Sequence, residues 1–195
     1  MIRLFTALCK VYLKELSEKQ RFLEATNEFS RLGGACPKCG TKGKLSEYGD
    51  YGRGLTSYEG GQIVDSDLRA SRLYCSSCES THALLPDIVV PYSAYSLLFM
   101  LATLIAYYDR ATTVVKTCGH FGIAVSTIYV WKDRVALHKE LMLGLLISSK
   151  APARGFLRGL LGSRRLSDTL CRFYSEYSFS FMQRRSAPAT RSRPP

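Results

Sequence analysis

Cys36-Pro-Lys-Cys39-Gly40 and Cys75-Ser-Ser-Cys78 are two C-x-x-C pairs with 35 residues between Cys39 and Cys75. Two residues between thiols let one tight turn aim both sulfurs at a single ion, and N–H groups of the same turn can hydrogen-bond the sulfurs and offset their charge. Zn²⁺ takes four such ligands tetrahedrally at about 2.3 Å, and a closed Cys₄ shell is the structural type of site. Pro37 inside the first pair and Gly40 just after it fit the turn, since glycine reaches a left-handed φ without steric cost. The spacing therefore predicts structural zinc on Cys36, Cys39, Cys75 and Cys78.

The remaining cysteines, Cys9, Cys118 and Cys171, are isolated, which fits a secreted disulfide scaffold badly. A redox C-x-x-C would explain one pair and calls for a βαβ context that the sequence lacks. His82, four residues after Cys78, is the alternative ligand; an ordinary surface or packing histidine is the simpler reading. Between the pairs, glycines from Gly40 to Gly61 interleave with Tyr48, Tyr51, Leu55 and Tyr58, and Ile63, Val64, Leu68 and Leu73 lead into the second pair. This predicts short β-strands and turns, a small zinc ribbon whose folding free energy comes largely from the metal.

The whole chain has 195 residues, 27 Lys+Arg against 16 Asp+Glu, a net charge of +11 and 46% hydrophobic residues. Those values exclude an acidic solvating protein and a chain disordered throughout. The longest apolar run, Leu97 to Tyr108, is shorter than the roughly 20 residues that cross a bilayer. Ile2 to Leu8 lacks a small-residue cleavage site, so a cytoplasmic protein is expected. Residues 150–195 hold ten Lys+Arg against Asp168 and Glu176. That terminus suits a polyanion, although a solvated tail would look the same.

From Pro86 onward the sequence turns helical. Ser93 is placed to cap a helix reaching about Asp109, apolar on most sides and so suited to a core or a partner. A short helix then begins after Thr112 or Thr113 and ends near His120, Gly122 takes the turn, and a second helix starts between Ala124 and Ser126 and runs toward Leu146. Val115, Cys118, Ile123, Ile128 and Trp131 are the expected shared core of this pair. The pattern is a helix-turn-helix over about 112–143, whose second helix enters the major groove N-terminus first. Val125, Ser126, Thr127, Tyr129, Val130 and Asp133 would then face bases or backbone, with Lys132 and Arg134 on phosphates. Trp131 reads as core rather than as a base-stacking ring, and His138 as a half-buried packing residue.

The fold class is thus α+β, with an N-terminal helix within 1–34 (its core Val11 to Leu32), a ribbon over 35–86 and a helical region over 87–148. Basic C-terminal helices follow over 149–182, and an Arg/Ser/Pro-rich tail over 183–195 is expected to be unfolded alone.

Several of these runs carry a resemblance. Cys36-Pro-Lys-Cys39-Gly, Cys75-Ser-Ser-Cys78, Thr81-His-Ala-Leu-Leu-Pro86, Val90-Pro-Tyr-Ser-Ala-Tyr95 and Phe121-Gly-Ile-Ala-Val-Ser-Thr-Ile-Tyr-Val-Trp131 resemble the zinc-ribbon and helix-turn-helix front end of insertion-element transposases. They are more similar still to a family of short uncharacterised bacterial proteins associated with mobile elements, as is Phe179-Ser-Phe-Met-Gln183. The resemblance implies metal-dependent, sequence-specific binding of double-stranded DNA, at element ends. Ala124 departs from it where related turns carry a capping Ser, at a cost of about 1 kcal/mol to the helix start. Val130 departs where an Arg commonly precedes the Trp, which removes a phosphate or guanine contact.

Strand transfer needs carboxylates holding two metal ions on a sheet. After the helix pair only Asp133, Glu140, Asp168 and Glu176 remain, in helical sequence too short for such a domain. The expectation is a DNA-binding protein that is not itself an enzyme and works with a separate transposase catalytic subunit. The alternative is a protein-interaction module, built on the ribbon and the apolar helix, that touches nucleic acid non-specifically.

Overall fold

A turn at Gly60-Gly61, both in the left-handed region (φ 57° and 84°), joins the two longest strands of the protein. The computed structural model describes residues 1–4, 16–27, 29, 34–146, 152–163 and 165–184, with positions 143–146 described by backbone alone. In chain order the elements are β1 (Ile2–Leu4), α1 (Glu18–Asn27), β2 (Leu45–Glu59), β3 (Gln62–Cys75), β4 (Ser80–Pro86), α2 (Leu97–Asp109), α3 (Val114–His120), α4 (Val125–Leu146), α5 (Ala153–Gly162) and α6 (Leu166–Tyr177). The fold is mixed α+β, with four strands in the order β1-β4-β3-β2.

The expectation of short strands is corrected: β2 has 15 residues and β3 has 14. Glycines read as turns lie inside the hairpin, where Gly52 and Gly54 pair with Arg69 and Asp67. A Cβ at either position would meet nothing within 4 Å, so these glycines sit on an open sheet surface. One irregularity, between Glu47 and Gly49, shifts the register and leaves Tyr48 as the extra residue. β1 adds a parallel edge to β4, with Ile2 opposite Leu84; no period-2 pattern announces so short a strand.

The two sheet faces bury different things. Leu55, Leu68, Ala70 and Leu85 pack with Ile88, Val89 and the α1 side chains Phe22 and Ala25. Ile2, Leu45, Leu73 and Leu84 pack on the other face with Cys36 and Cys75. Of the expected N-terminal helix, Glu18–Asn27 is helical; positions 5–15, 28 and 30–33 lie outside the described residues.

Helix α2 starts at Leu97 with Ser96 as its cap, in place of the expected Ser93. The reason is pairing with β2: Thr56 N donates to the Ala94 carbonyl at 2.7 Å and Ser96 N to the Thr56 carbonyl at 2.9 Å, which holds 94–96 extended. Ser96 Oγ accepts from Phe99 N and donates to Glu18 Oε1, both at 3.0 Å. Burial, aided by the nearby Glu59 carboxylate, lifts Glu18 to about 7, and its Oε2 has no hydrogen-bond partner.

Helices α2 to α6 share one core. Leu97, Phe99, Met100, Leu101 and Leu104 of α2 meet Phe121, Ile128, Trp131 and Val135 around α3–α4, and Leu157, Leu160 and Phe173 of α5 and α6. The apolar helix is thus buried within its own chain. The Phe179-to-Gln183 run closes this core: Phe179, Phe181 and Met182 are buried, and Met182 N donates to His138 Nδ1 at 2.9 Å. His138 is fully buried rather than half-buried, among Phe173, Phe179 and Phe181. Gln183 closes a turn with Ser180, and residues 185–195 of the expected tail lie outside the described residues.

Candidate metal centre and the surface of α4

The two C-x-x-C pairs converge. Cys36 Sγ lies 3.6 Å from Cys78 Sγ and Cys39 Sγ lies 3.7 Å from Cys75 Sγ, with all four sulfurs within 4.8 Å of one another. A tetrahedron with metal–sulfur bonds of about 2.3 Å has edges of about 3.8 Å, so the four thiols fit one tetrahedral ion. No disulfide joins them.

Each pair is shaped by its turn. In the first, Gly40 N donates to the Cys36 carbonyl at 2.8 Å, Cys36 N to the Thr41 carbonyl at 3.0 Å, and Gly40 adopts φ 75°. Lys38 N points at Cys36 Sγ from 3.4 Å. In the second, Cys75 ends β3, Glu79 turns the chain at φ 54°, and Ser76 N donates to the Lys44 carbonyl at 3.1 Å, which ties the two turns together.

The metal-free thiols differ in acidity. The Thr41 side chain and backbone draw Cys39 down to about 6, whereas burial pushes Cys78 up to about 11. At Cys36 burial opposes ionisation, and the Cys39 and Lys38 N–H groups more than offset it, so its thiol is lowered. A bound cation would favour the thiolate at every position.

His82 was the weaker candidate from sequence, and it sits against the site. It is buried, with Nε2 3.3 Å from Cys36 Sγ and Nδ1 3.1 Å from the Met1 amine. Burial first, then the charges of the amino terminus and Lys38, lower its pKa. An ammonium has only hydrogens to give, so Nδ1 accepts and Nε2–H faces the sulfur. His82 thus lies against the four-sulfur cluster and is not one of its members. The signal for it was register: His82 pairs with Leu73 on β3, two residues before Cys75, on the face that holds the cysteines.

Helices α3 and α4 lie where the sequence predicts them. Thr113 caps α3 by accepting from Lys116 N, and Gly122 takes φ 60° between the helices. Cys118, Phe121, Ile123, Ile128 and Trp131 are buried. Val115 is not: it is 70% exposed. With α3 starting at Val114, positions 114, 117, 118 and 121 turn inward and 115 turns out.

Val125, Ser126, Tyr129, Val130 and Asp133 are exposed, and Thr127, Lys132 and Arg134 are partly exposed. Tyr129 packs edge-on against Tyr107, and Lys132 Nζ lies 5.4 Å from the Tyr129 ring centroid. Arg134 reaches back to the Met182 carbonyl at 3.4 Å. Among the C-terminal cations, Arg154 and Arg158 both bind Asp109, Arg158 at 2.6 Å, and draw its carboxyl below the usual range. These two are committed to an internal partner.

The tip of the β2–β3 hairpin meets the turn between α3 and α4: the Tyr58 ring packs 5.0 Å from Phe121, and a Cβ at Gly122 would stand 3.7 Å from Ile63 Cδ1. Among the described residues no helix is long and apolar enough to cross a membrane. No curated protein and no solved structure matches the chain. Residues 36–131, from the first cysteine of the cluster to Trp131 in α4, match a family described as a domain of unknown function (DUF6431).

Proposed function

We propose that the chain is a zinc-containing DNA-binding protein in which α3 and α4 act as a helix-turn-helix and α4 reads double-stranded DNA. The observation that carries this reading is the division of α4. Val125, Ser126, Tyr129, Val130 and Asp133 share one exposed face, while Ile128, Trp131 and Val135 are buried on the other. A recognition helix needs such a free N-terminal face on a rigid base. Zinc is the ion of choice for four thiolates at these separations, and its role is structural: it pins the base of the hairpin whose tip holds the α3–α4 turn. The chain would act as the DNA-reading part of a mobile-element assembly whose catalytic subunit is a separate polypeptide.

One observation favours a second reading. Val115, Val125, Val130 and Leu137 are 39–70% exposed on this same helix pair. Such an apolar surface suits a protein partner, with nucleic acid bound only through charge.

Selection from a random duplex library, using zinc-quantified protein at near-physiological salt, separates the two. An enriched motif that is lost in a Ser126→Ala, Thr127→Ala, Tyr129→Ala variant supports the specific reader. A steep salt dependence without enrichment supports the interaction module.

A further inference from the structure

A cavity of about 670 Å³ opens on the sheet face carrying Tyr51, between the strands and the segment before α2. Arg53, Arg72, Tyr51, Tyr92 and Thr81 are among the residues that line it, and no carboxylate among the described residues does. Its size lies within the roughly 300–1,000 Å³ common for small-molecule sites.

Both guanidinium groups are held by uncharged partners among the described residues, although Asp50 and Asp67 line the adjoining depression that Arg53 also borders. Arg53 Nη2 donates to the backbone carbonyls of Ser93 and Val90, and its buried Nε has no hydrogen-bond partner. Arg72 donates to Thr81 Oγ1 at 3.2 Å and lies 5.6 Å from the Tyr48 ring centroid, with Tyr48 stacked on Tyr74. Carbonyls and hydroxyls satisfy donors but leave both positive charges in place. Three other arginines do pair with carboxylates: Arg69 with Asp50, and Arg154 and Arg158 with Asp109.

The rim also carries an exposed aromatic residue. Tyr92 adopts φ 60°, a conformation that costs a non-glycine residue about 1 kcal/mol, and its ring is 86% exposed. That backbone closes a turn in which Ser93 N donates to the Val90 carbonyl at 3.3 Å, and the turn holds the ring out at the rim. A planar guanidinium pair matches a phosphate, and an exposed tyrosine ring offers a stacking face to a base.

We propose that this cleft binds a nucleotide, its phosphate on Arg53 and Arg72 and its base on Tyr92. The nucleotide is either free or a unit of a DNA strand. The site is distinct from the α4 surface and goes beyond the duplex-reading function. A mononucleotide probes the cleft and a duplex probes α4, so the two readings fail separately.

The test is calorimetric titration of the zinc-loaded full chain with dAMP, with inorganic phosphate and with a single-stranded dodecamer. Arg72→Gln keeps a donor for Thr81, and Tyr92→Gly relieves the left-handed backbone. Each should weaken dAMP binding by about tenfold or more while the thermal midpoint stays within about 2 °C of the parent. Tighter binding of the dodecamer than of dAMP assigns the site to a strand; dAMP binding alone assigns it to the free nucleotide. No dAMP binding at about 10 mM, equal affinity for inorganic phosphate, or unchanged affinity in Tyr92→Gly overturns the proposal.

Discussion

The Tyr58 hydroxyl lies 3.1 Å from Nε2 of His120, which joins the tip of the β2–β3 hairpin to the last residue of α3. Phe121 extends the joint, since its ring stands 4.9 Å from His120 and 5.7 Å from Phe99 of α2. A hairpin rooted at the four cysteines thus braces the turn that sets the angle of α4. Tyr58→Ala should cost about 2 kcal/mol and lower the thermal midpoint by roughly 4–8 °C. Tyr58→Phe, which keeps the ring, should cost less than half as much in the same melt.

Removing the metal should loosen the root of the hairpin before the helices. With the ion stripped by a chelator, or in Cys36→Ser, amide exchange should accelerate around Tyr74, Cys75 and Thr81 more than in the first turns of α4. Equal protection with and without metal would deny the site a structural role. His82→Gln should retain the ion but weaken its binding by about 10- to 100-fold, as expected for a group that orients a ligand.

Glu18 gives stability a definite pH dependence. Its carboxyl titrates near 7 in the folded protein against 4.5 as the ordinary value. The folded state therefore binds the proton more tightly, and the slope of stability against pH is negative between those values. The contribution is complete below about pH 4.5 and lost as pH rises through 7, by at most about 3 kcal/mol. Denaturant melts of Glu18→Gln, which keeps an acceptor for Ser96, should show a flatter profile over that window. Parallel profiles for the two proteins would refute the assignment.

Gly122→Ala should destabilise through the backbone alone. The added Cβ meets Ile63 Cδ1 at an ordinary contact distance of 3.7 Å, but φ 60° disfavours alanine by about 1 kcal/mol. A midpoint lowered by roughly 2–4 °C is expected, with Gly122→Asn closer to the parent because Asn tolerates that region.

The cysteine cluster and the helix pair were legible residue by residue because their rules are local. A C-x-x-C turn brings its own two sulfurs together. The 3.6-residue period with Gly122 at the break places α3 and α4 whatever surrounds them. Val115 shows the limit: one residue of uncertainty in the start of α3 exchanged the inward 114 for the outward 115. The strands were harder, because glycine marks turns in most sequences. Gly52 and Gly54 remain extended here through cross-strand hydrogen bonding that local preference does not register.

What the sequence by itself determined is therefore the four cysteines that cluster, the mixed α+β class and the order of the later helices, since each depends on neighbours a few residues apart. Only the tertiary structure decided the rest. It placed His82 against Cys36, moved the α2 cap to Ser96 by pairing 94–96 with β2, and committed Arg154 and Arg158 to Asp109. It also brought Arg53 and Arg72 to one cleft. These relations join residues 19 to 49 positions apart, and a pairing at such separations is fixed by the packing of whole elements, which no local pattern encodes.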